Sequence, residues 1–226
     1  MKTTNGSTRN GHLAGLERLE DAGTGARPHT GGIHPGAEAR RTGSAARTVP
    51  ARVVIRPARP DDLEEATLLE RRVWGPMAAT LNELQRRLFA LPEAFLLAEM
   101  YRPGRSPQIV GLTNGLLWTR EFPRSYPEFE KMLPSGSHNP RGEVLYVTSL
   151  GVDESIRGRG VGLRLLLVLV EVGRRRHLKL VRLIGNRRSK PLYQRAGFAV
   201  VQSLPRMYRQ HRGQMPHPVL MEFPLV

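Results

Sequence analysis

The spacing of apolar positions changes several times along this chain, and the changes mark out its elements. Residues 1–51 show almost no apolar periodicity; Gly, Thr, Arg, His and Ala dominate, with scattered prolines. Such a segment buries too little surface to offset chain entropy. It is expected to be a disordered basic tail, with at most a helical turn around Leu13 to Leu19. The folded domain is expected over 52–226. Val53-Val54-Ile55 opens it as a strand, and Asp61-Asp62 supplies a helix-start signal. Helical spacing follows at Leu63 to Val73 and again at Leu81 to Leu91. Ala94 to Met100 and Gln108 to Trp118 read as strands joined by a turn at Pro103-Gly104. A long loop from Thr119 to Arg141 comes next, and loops of that length tend to carry function.

The second half alternates strand and helix. Val144 to Val152 is an apolar strand, followed by the turn Arg157-Gly158-Arg159-Gly160-Val161-Gly162. A helix is predicted from about Gly160 to Arg175, with Arg174-Arg175-Arg176 complementing its dipole. Leu178 to Ile184 reads as a strand, and Lys190 to Ala196 as a short helix stopped by Gly197. Phe198 to Gln202 and Val219 to Phe223 read as a closing strand pair. Strands linked by a hairpin come first and strand–helix crossovers later, so the class is α+β, or mixed α/β.

Composition narrows the chemistry. The chain of 226 residues has no cysteine, which excludes disulfides, thiolate metal sites and cysteine nucleophiles and fits a cytoplasmic protein. The apolar run Leu165 to Val170 is bracketed by Arg164 and Glu171, far short of the ~20 residues a bilayer requires. No apolar signal core is visible at the start. The formal charge is +15, and its placement is uneven. Arg157 to Arg195 holds ten arginines and two lysines against one acid, Glu171, a net +11. Such a field attracts polyanions: nucleic acid, or a multiply phosphorylated cofactor.

The glycine turn between strand and helix is a way to build a pyrophosphate site. Glycines let the main chain approach a ligand and leave N–H groups pointing inward. The following helix aims its positive end at the same place. No Gly-Lys-Ser/Thr follows, so this is not a Walker A loop, and the spacing is not the dinucleotide fingerprint. The plain alternative is a tight turn whose arginines face solvent. Downstream stands Asn186-Arg187-Arg188-Ser189-Lys190-Pro191-Leu192-Tyr193-Gln194-Arg195-Ala196-Gly197-Phe198. With both motifs in register, the chain resembles the GNAT superfamily of acyl-CoA-dependent N-acyltransferases. The Arg/Gln-x-x-Gly-x-Gly/Ala loop of that family is matched by Arg157, Gly160 and Gly162. Its later Asn, small residue, Leu-Tyr and Gly-Phe are matched by Asn186, Ser189, Leu192, Tyr193, Gly197 and Phe198. The resemblance covers roughly Val53 to Val226, and its specific part is Val144 to Phe198.

The resemblance implies a splayed mixed sheet of six or seven strands flanked by helices, with acetyl-CoA or another acyl-CoA as co-substrate and no metal. It implies main-chain bonds from Leu150 and Val152 to the pantetheine arm. It places the pyrophosphate on the amides of Gly158, Arg159, Gly160, Val161, Gly162 and Leu163, beside Arg157. Asn186 and Ser189 would lie along the pantetheine. The concentrated charge suits such a polyphosphate.

For catalysis, a thiolate must leave when an amide forms from a thioester, and the phenol of Tyr193 is the expected acid. A protonated amine also needs a base, and Glu143, opening the central strand, is the first choice. Glu99 and Glu121 are further carboxylates, while the bases of some family members would fall nearer Tyr146 and Thr148. Trp74, Phe89, Trp118, Phe122, Tyr126 and Phe129 could line the acceptor pocket, together with the Arg206 to Pro218 connection. The expected activity is transfer of an acetyl or short acyl group to a primary amine of a small molecule, peptide or protein, in a ternary complex. Family members often form homodimers; no membrane and no nucleic-acid partner is expected. Two other readings stay open: a basic nucleic-acid-binding protein, and a non-catalytic acyl-CoA binder of the same fold. Against the first, the charged stretch has few aromatics and no recognition module.

Overall fold

The protein was analysed as a computed structural model that describes residues 51–119, 121–123, 127–129, 137–204 and 217–226. Of the tail expected over 1–51, positions 1–50 lie outside those residues, as do Tyr126 and most of the Arg206 to Pro218 connection. Seven strands form one sheet: β1 (Arg52–Pro57), β2 (Phe95–Arg102), β3 (Arg105–Trp118), β4 (Val144–Val152), β5 (Leu180–Gly185), β6 (Ala199–Ser203) and β7 (Val219–Pro224). Four helices whose bounds lie among the described residues accompany them: α1 (Leu63–Trp74), α2 (Leu81–Ala90), α3 (Val161–Arg175) and α4 (Lys190–Arg195); residues 127–129 are also helical. The sheet order is β1-β2-β3-β4-β5-β7-β6. Among the described residues only β4 and β5 pair in parallel, joined through the α3 crossover. The sheet is therefore mixed, as the α+β expectation required.

Period-two alternation sends side chains to two faces. Leu96, Ala98 and Met100 of β2, with Leu145 and Val147 of β4, pack under Leu165, Leu166 and Leu169 of α3. Phe95 and Leu97 of β2, with Leu112 of β3, pack under Ala66 and Leu69 of α1 and Leu84 and Leu88 of α2. The α2 start has a full capping box, with Thr80 and Glu83 each bonding the other's main chain.

β3 begins at Arg105, three residues before the expected Gln108, as the hairpin ladder runs up to the Arg102–Arg105 pair; two further boundaries are moved by helix closures. Leu178 was expected to begin β5. Instead its N–H returns 3.1 Å to the carbonyl of Gly173 after His177 takes a left-handed φ of 53°. That closure satisfies the end of α3 and buries Leu178. Likewise Phe198 donates its N–H to Tyr193 O at 3.0 Å, after Gly197 at φ 96°, so β6 begins one residue later.

Candidate functional site

Two irregularities in β4 create the site. The first is where its pairing with β5 stops. Val144, Leu145 and Tyr146 face Leu180, Val181 and Arg182, and no pair follows. Beyond Tyr146 the two strands diverge, leaving one edge of β4 without a neighbour. The second is a bulge. Asn114 faces Ser149 but Gly115 faces Val147, so Thr148 is an extra residue on β4. As a result Thr148 and Ser149 both turn to the α1/α2 face. Thr148 bonds the Asn114 side chain, which Arg87 of α2 also reaches, and Ser149 bonds Glu70 of α1.

β4 leads into a short turn whose first residue, Asp153, accepts the Ser155 N–H at 3.0 Å. Arg157 then folds back, its Nε 3.1 Å from Val152 O. Gly158 and Gly160 sit at φ 79° and 77°, a region that favours glycine, and no atom lies within 4 Å of where their Cβ would be. Backbone conformation, not crowding, therefore explains the glycines. Gly160 is the N-cap of α3 and provides no side-chain cap. The amides of Val161, Gly162 and Leu163 have no acceptor within the helix, so three donors and the positive dipole end stay available.

On the other side, Asn186 and Ser189 hold one another. Asn186 Oδ1 accepts from the Arg188 and Ser189 amides at 2.9 and 3.0 Å, and the Asn186 N–H donates to Ser189 Oγ at 3.0 Å. This turn starts α4 and fixes Tyr193, which is buried. A Cβ on Gly185 would stand 3.0 Å from the Tyr193 ring, so that glycine makes room for it. Burial pushes the Tyr193 phenol up, and the Ser189 hydroxyl beside it pulls the other way. The phenol keeps its proton at neutral pH.

Both halves meet in one cleft of about 620 Å³. Of the residues singled out from sequence, Leu150, Val152, Arg157, Gly158, Gly160, Val161, Gly162, Leu163, Asn186, Ser189 and Tyr193 line it. Arg159 stays in the turn but outside the lining, exposed. Glu143 is not brought there. It is exposed at the opposite end of β4 from the turn, where its carbonyl accepts the Lys179 N–H. Nine residues of extended strand, about 30 Å, separate it from the glycines. Glu99 pairs with Arg56 instead, and Glu121 is exposed. Among the described residues no group of three His, Cys, Asp or Glu could hold a metal ion. No helix among them is long and apolar enough to cross a membrane.

The sequence model of the Acetyltransferase (GNAT) family matches residues 74–198, more than half of the chain. The chain belongs to the GNAT family. No curated protein sequence matches it. Three solved structures resemble this GNAT protein. The loading GNATL domain of CurA from Lyngbya majuscula aligns at 15% identity and TM-score 0.61, over 77% of this chain and 98% of that one. The GphF GNAT-like decarboxylase in complex with isobutyryl-CoA aligns at 21% and 0.61, over 76% and 100%. The ribosomal-protein-S18-alanine N-acetyltransferase from Escherichia coli aligns at 15% and 0.52, over 77% and 94%. At these identities the likeness is one of fold; a mixed sheet of six or seven strands was expected for a GNAT protein, and the structure has seven.

Val73, Trp74 and Met77 close the α1 side of the GNAT cleft. Of the aromatics picked as pocket candidates, Trp74 alone among the described ones lines it. Trp118 is fully buried and stacked on Tyr146 at 3.9 Å, Phe129 meets both edge-on, and Phe122 packs against that group. Phe89 is exposed. Sequence reasoning missed a polar group buried under the bulge: Glu70, Arg87, Asn114 and Ser149. The signal was there. Glu70 falls in the helical stripe Ala66, Leu69, Val73, and Arg87 beside Leu84 and Leu88, where a charge breaks the apolar pattern.

Proposed function

We propose that this chain is an N-acyltransferase that moves an acetyl or other short acyl group from acyl-CoA directly to a primary amine within a ternary complex. The observation that supports it most is the single cleft that gathers the open amides of the glycine turn, the unpaired edge of β4 and the buried Tyr193. The residues fit acyl-CoA. Amides of Gly158 to Leu163 offer hydrogen bonds to a diphosphate, and Arg157, Arg188 and Arg195 add positive charge to the lining. The free edge at Leu150 and Val152 can bond an amide-bearing arm as another strand would. Asn186 and Ser189 stand on the far wall of the same groove. Acyl-CoA supplies the activated thioester. Tyr193, still protonated at neutral pH, gives its proton as charge builds on the departing sulfur.

The structures bound to isobutyryl-CoA and named for alanine acetylation agree with an acyl-CoA donor and an amine acceptor. The test has two readings. Acetyl-CoA at about 100 times its Kd should stabilise the fold by about 2.7 kcal/mol, raising Tm by roughly 5–10 °C. A panel of amines should then release CoA thiol only in the presence of protein. No thermal shift with millimolar acetyl-CoA would overturn the donor assignment. A shift without thiol release from any amine would leave a carrier-binding protein of this fold.

A further inference from the structure

The buried polar group beneath the β4 bulge is not used by that scheme, which also leaves the acceptor's proton without a destination. Glu70 projects from the apolar stripe of α1 and is 3% exposed. Its carboxylate accepts the Ser149 hydroxyl at 3.0 and 2.8 Å. Ser149 Oγ in turn accepts the indole N–H of Trp74 at 3.1 Å. Trp74 and Leu150, the chain neighbour of Ser149, both line the cleft. These bonds tie the cleft wall at Trp74 to a carboxylate sealed inside the protein; the indole N–H only donates, so a proton bound for Glu70 would enter at Ser149 Oγ. Ser149 lies on the bulge, next to the edge of β4 that the proposed donor would occupy.

We propose that Glu70, acting through the Ser149 hydroxyl, takes up the proton that the acceptor ammonium must lose before it attacks. The inference rests on the acyltransferase reading above. A serine hydroxyl has one donor and two acceptor positions. Here the donor is committed to Glu70 and one acceptor to Trp74. The second acceptor is where an ammonium N–H would bond, with the amine entering between Trp74 and Leu150, because Ser149 itself is 4% exposed and does not line the cleft. As that proton moves to Ser149 Oγ, the serine's own proton passes to Glu70. The freed amine forms the C–N bond, and the C–S bond breaks. The second nitrogen proton replaces the one Tyr193 has given to sulfur. One proton thus ends on the thiol and one on Glu70, which later releases it to solvent. Ammonium plus thioester becomes amide, thiol and one proton, and charge balances.

The surroundings of Glu70 suit a base rather than a structural ion pair. Burial pushes its carboxyl up, the first influence on it. The Ser149 hydroxyl on β4, Arg87 on α2 and the Ala79 amide in the α1–α2 connection oppose that, while Glu83 on α2 adds to it. Arg87 gives no direct salt bridge within 4 Å; it spends its Nη1 on Asn114 instead, at 3.3 Å. A raised carboxyl pKa brings proton affinity closer to the working pH, where a base is most effective.

Glu70→Gln preserves shape and still accepts the Ser149 bond, so it separates proton uptake from packing. With an amine that the wild type acylates, kcat/KM should rise with pH along a limb set by Glu70. Glu70→Gln should lose that limb and about 100-fold in kcat/KM at neutral pH, with acetyl-CoA affinity unchanged. Ser149→Ala should show the same pattern, and Glu70→Asp should regain part of the rate. Parallel pH profiles for wild type and Glu70→Gln would overturn the relay, whatever their relative height. Infrared titration of the carboxyl band, as wild type minus Glu70→Gln, gives a check without turnover. A Glu70 that protonates at or below the ordinary glutamate pKa would overturn it too. Failure of the underlying reading looks different: no wild-type thiol release with any amine, in which case the relay falls with it.

Discussion

Tyr193 carries the sharpest consequence at the residue scale. Its hydroxyl is wanted for proton donation, while its ring packs against Gly185 and Phe198 whether or not the hydroxyl is there. Tyr193→Phe should therefore lower kcat by about 100-fold with little change in acetyl-CoA affinity. Steady-state kinetics paired with calorimetric titration measures both, and equal turnover would remove Tyr193 from the acid role. Arg56 gives a second residue-scale test, away from the cleft. It bonds Asp62 at 2.7 Å and Glu99 at 2.9 Å, holding both carboxyls below their ordinary range. A depressed carboxyl contributes stability above its unfolded pKa, and that contribution is lost as pH falls through the folded value. Arg56→Met is expected to cost about 1–2 kcal/mol at pH 7, after allowance for solvent screening. The gap from wild type should begin to narrow below about pH 4, the ordinary carboxylate range, and close only further down, as the depressed carboxyls of Asp62 and Glu99 themselves protonate. Urea unfolding at the two pH values measures it.

At the scale of elements, the glycine turn separates charge from backbone strain. Gly160→Ala places a Cβ at φ 77° in open space, at a cost of about 1–2 kcal/mol in local conformation. Gly160→Asp adds a negative charge at the uncapped start of α3. The aspartate should weaken coenzyme A binding well beyond the alanine, by 10-fold or more; equal affinities would show that the diphosphate lies elsewhere. Elements were also the scale at which sequence was most legible. α1, α2 and β4 fell within a residue of their expected bounds, because apolar spacing and caps are local. Two misjudged ends, Leu178 and Phe198, belong to helix closures that only a left-handed residue upstream reveals, while β3 starts earlier than expected, at Arg105, where its pattern carries no apolar residue. The cleft lining was legible wherever a motif fixed it. Glu70, Arg87 and Asn114 were not, since they come from three separate elements that the β3–β4 bulge brings together. Glu143 misled because its position at the head of the central strand says nothing about which end of that strand opens.

On the scale of the whole molecule, and among the described residues, the +11 stretch from Arg157 to Arg195 divides in two. Arg157, Arg188 and Arg195 stand in the cleft, while Arg174 and Arg175 turn to Glu171 and Arg176 to Glu93. Part of the basic stretch is therefore spent on surface pairs, and part faces the proposed polyphosphate. Coenzyme A affinity should then fall several-fold between low salt and about 0.5 M NaCl, as exposed charges become screened. Titration at a series of salt concentrations reads the slope. Tight, salt-sensitive DNA binding that acetyl-CoA does not displace would favour the nucleic-acid alternative instead.

The early end of the β4–β5 ladder has a consequence for timescales of opening. Three residue pairs join the two parts of the sheet directly, so amides past Tyr146 that do not reach β3 have no lasting partner in the ligand-free chain. They should take up deuterium within seconds, while the β2–β3 ladder stays protected far longer. If a pantetheine-like arm docks as an eighth strand, those few amides are the ones whose uptake should slow.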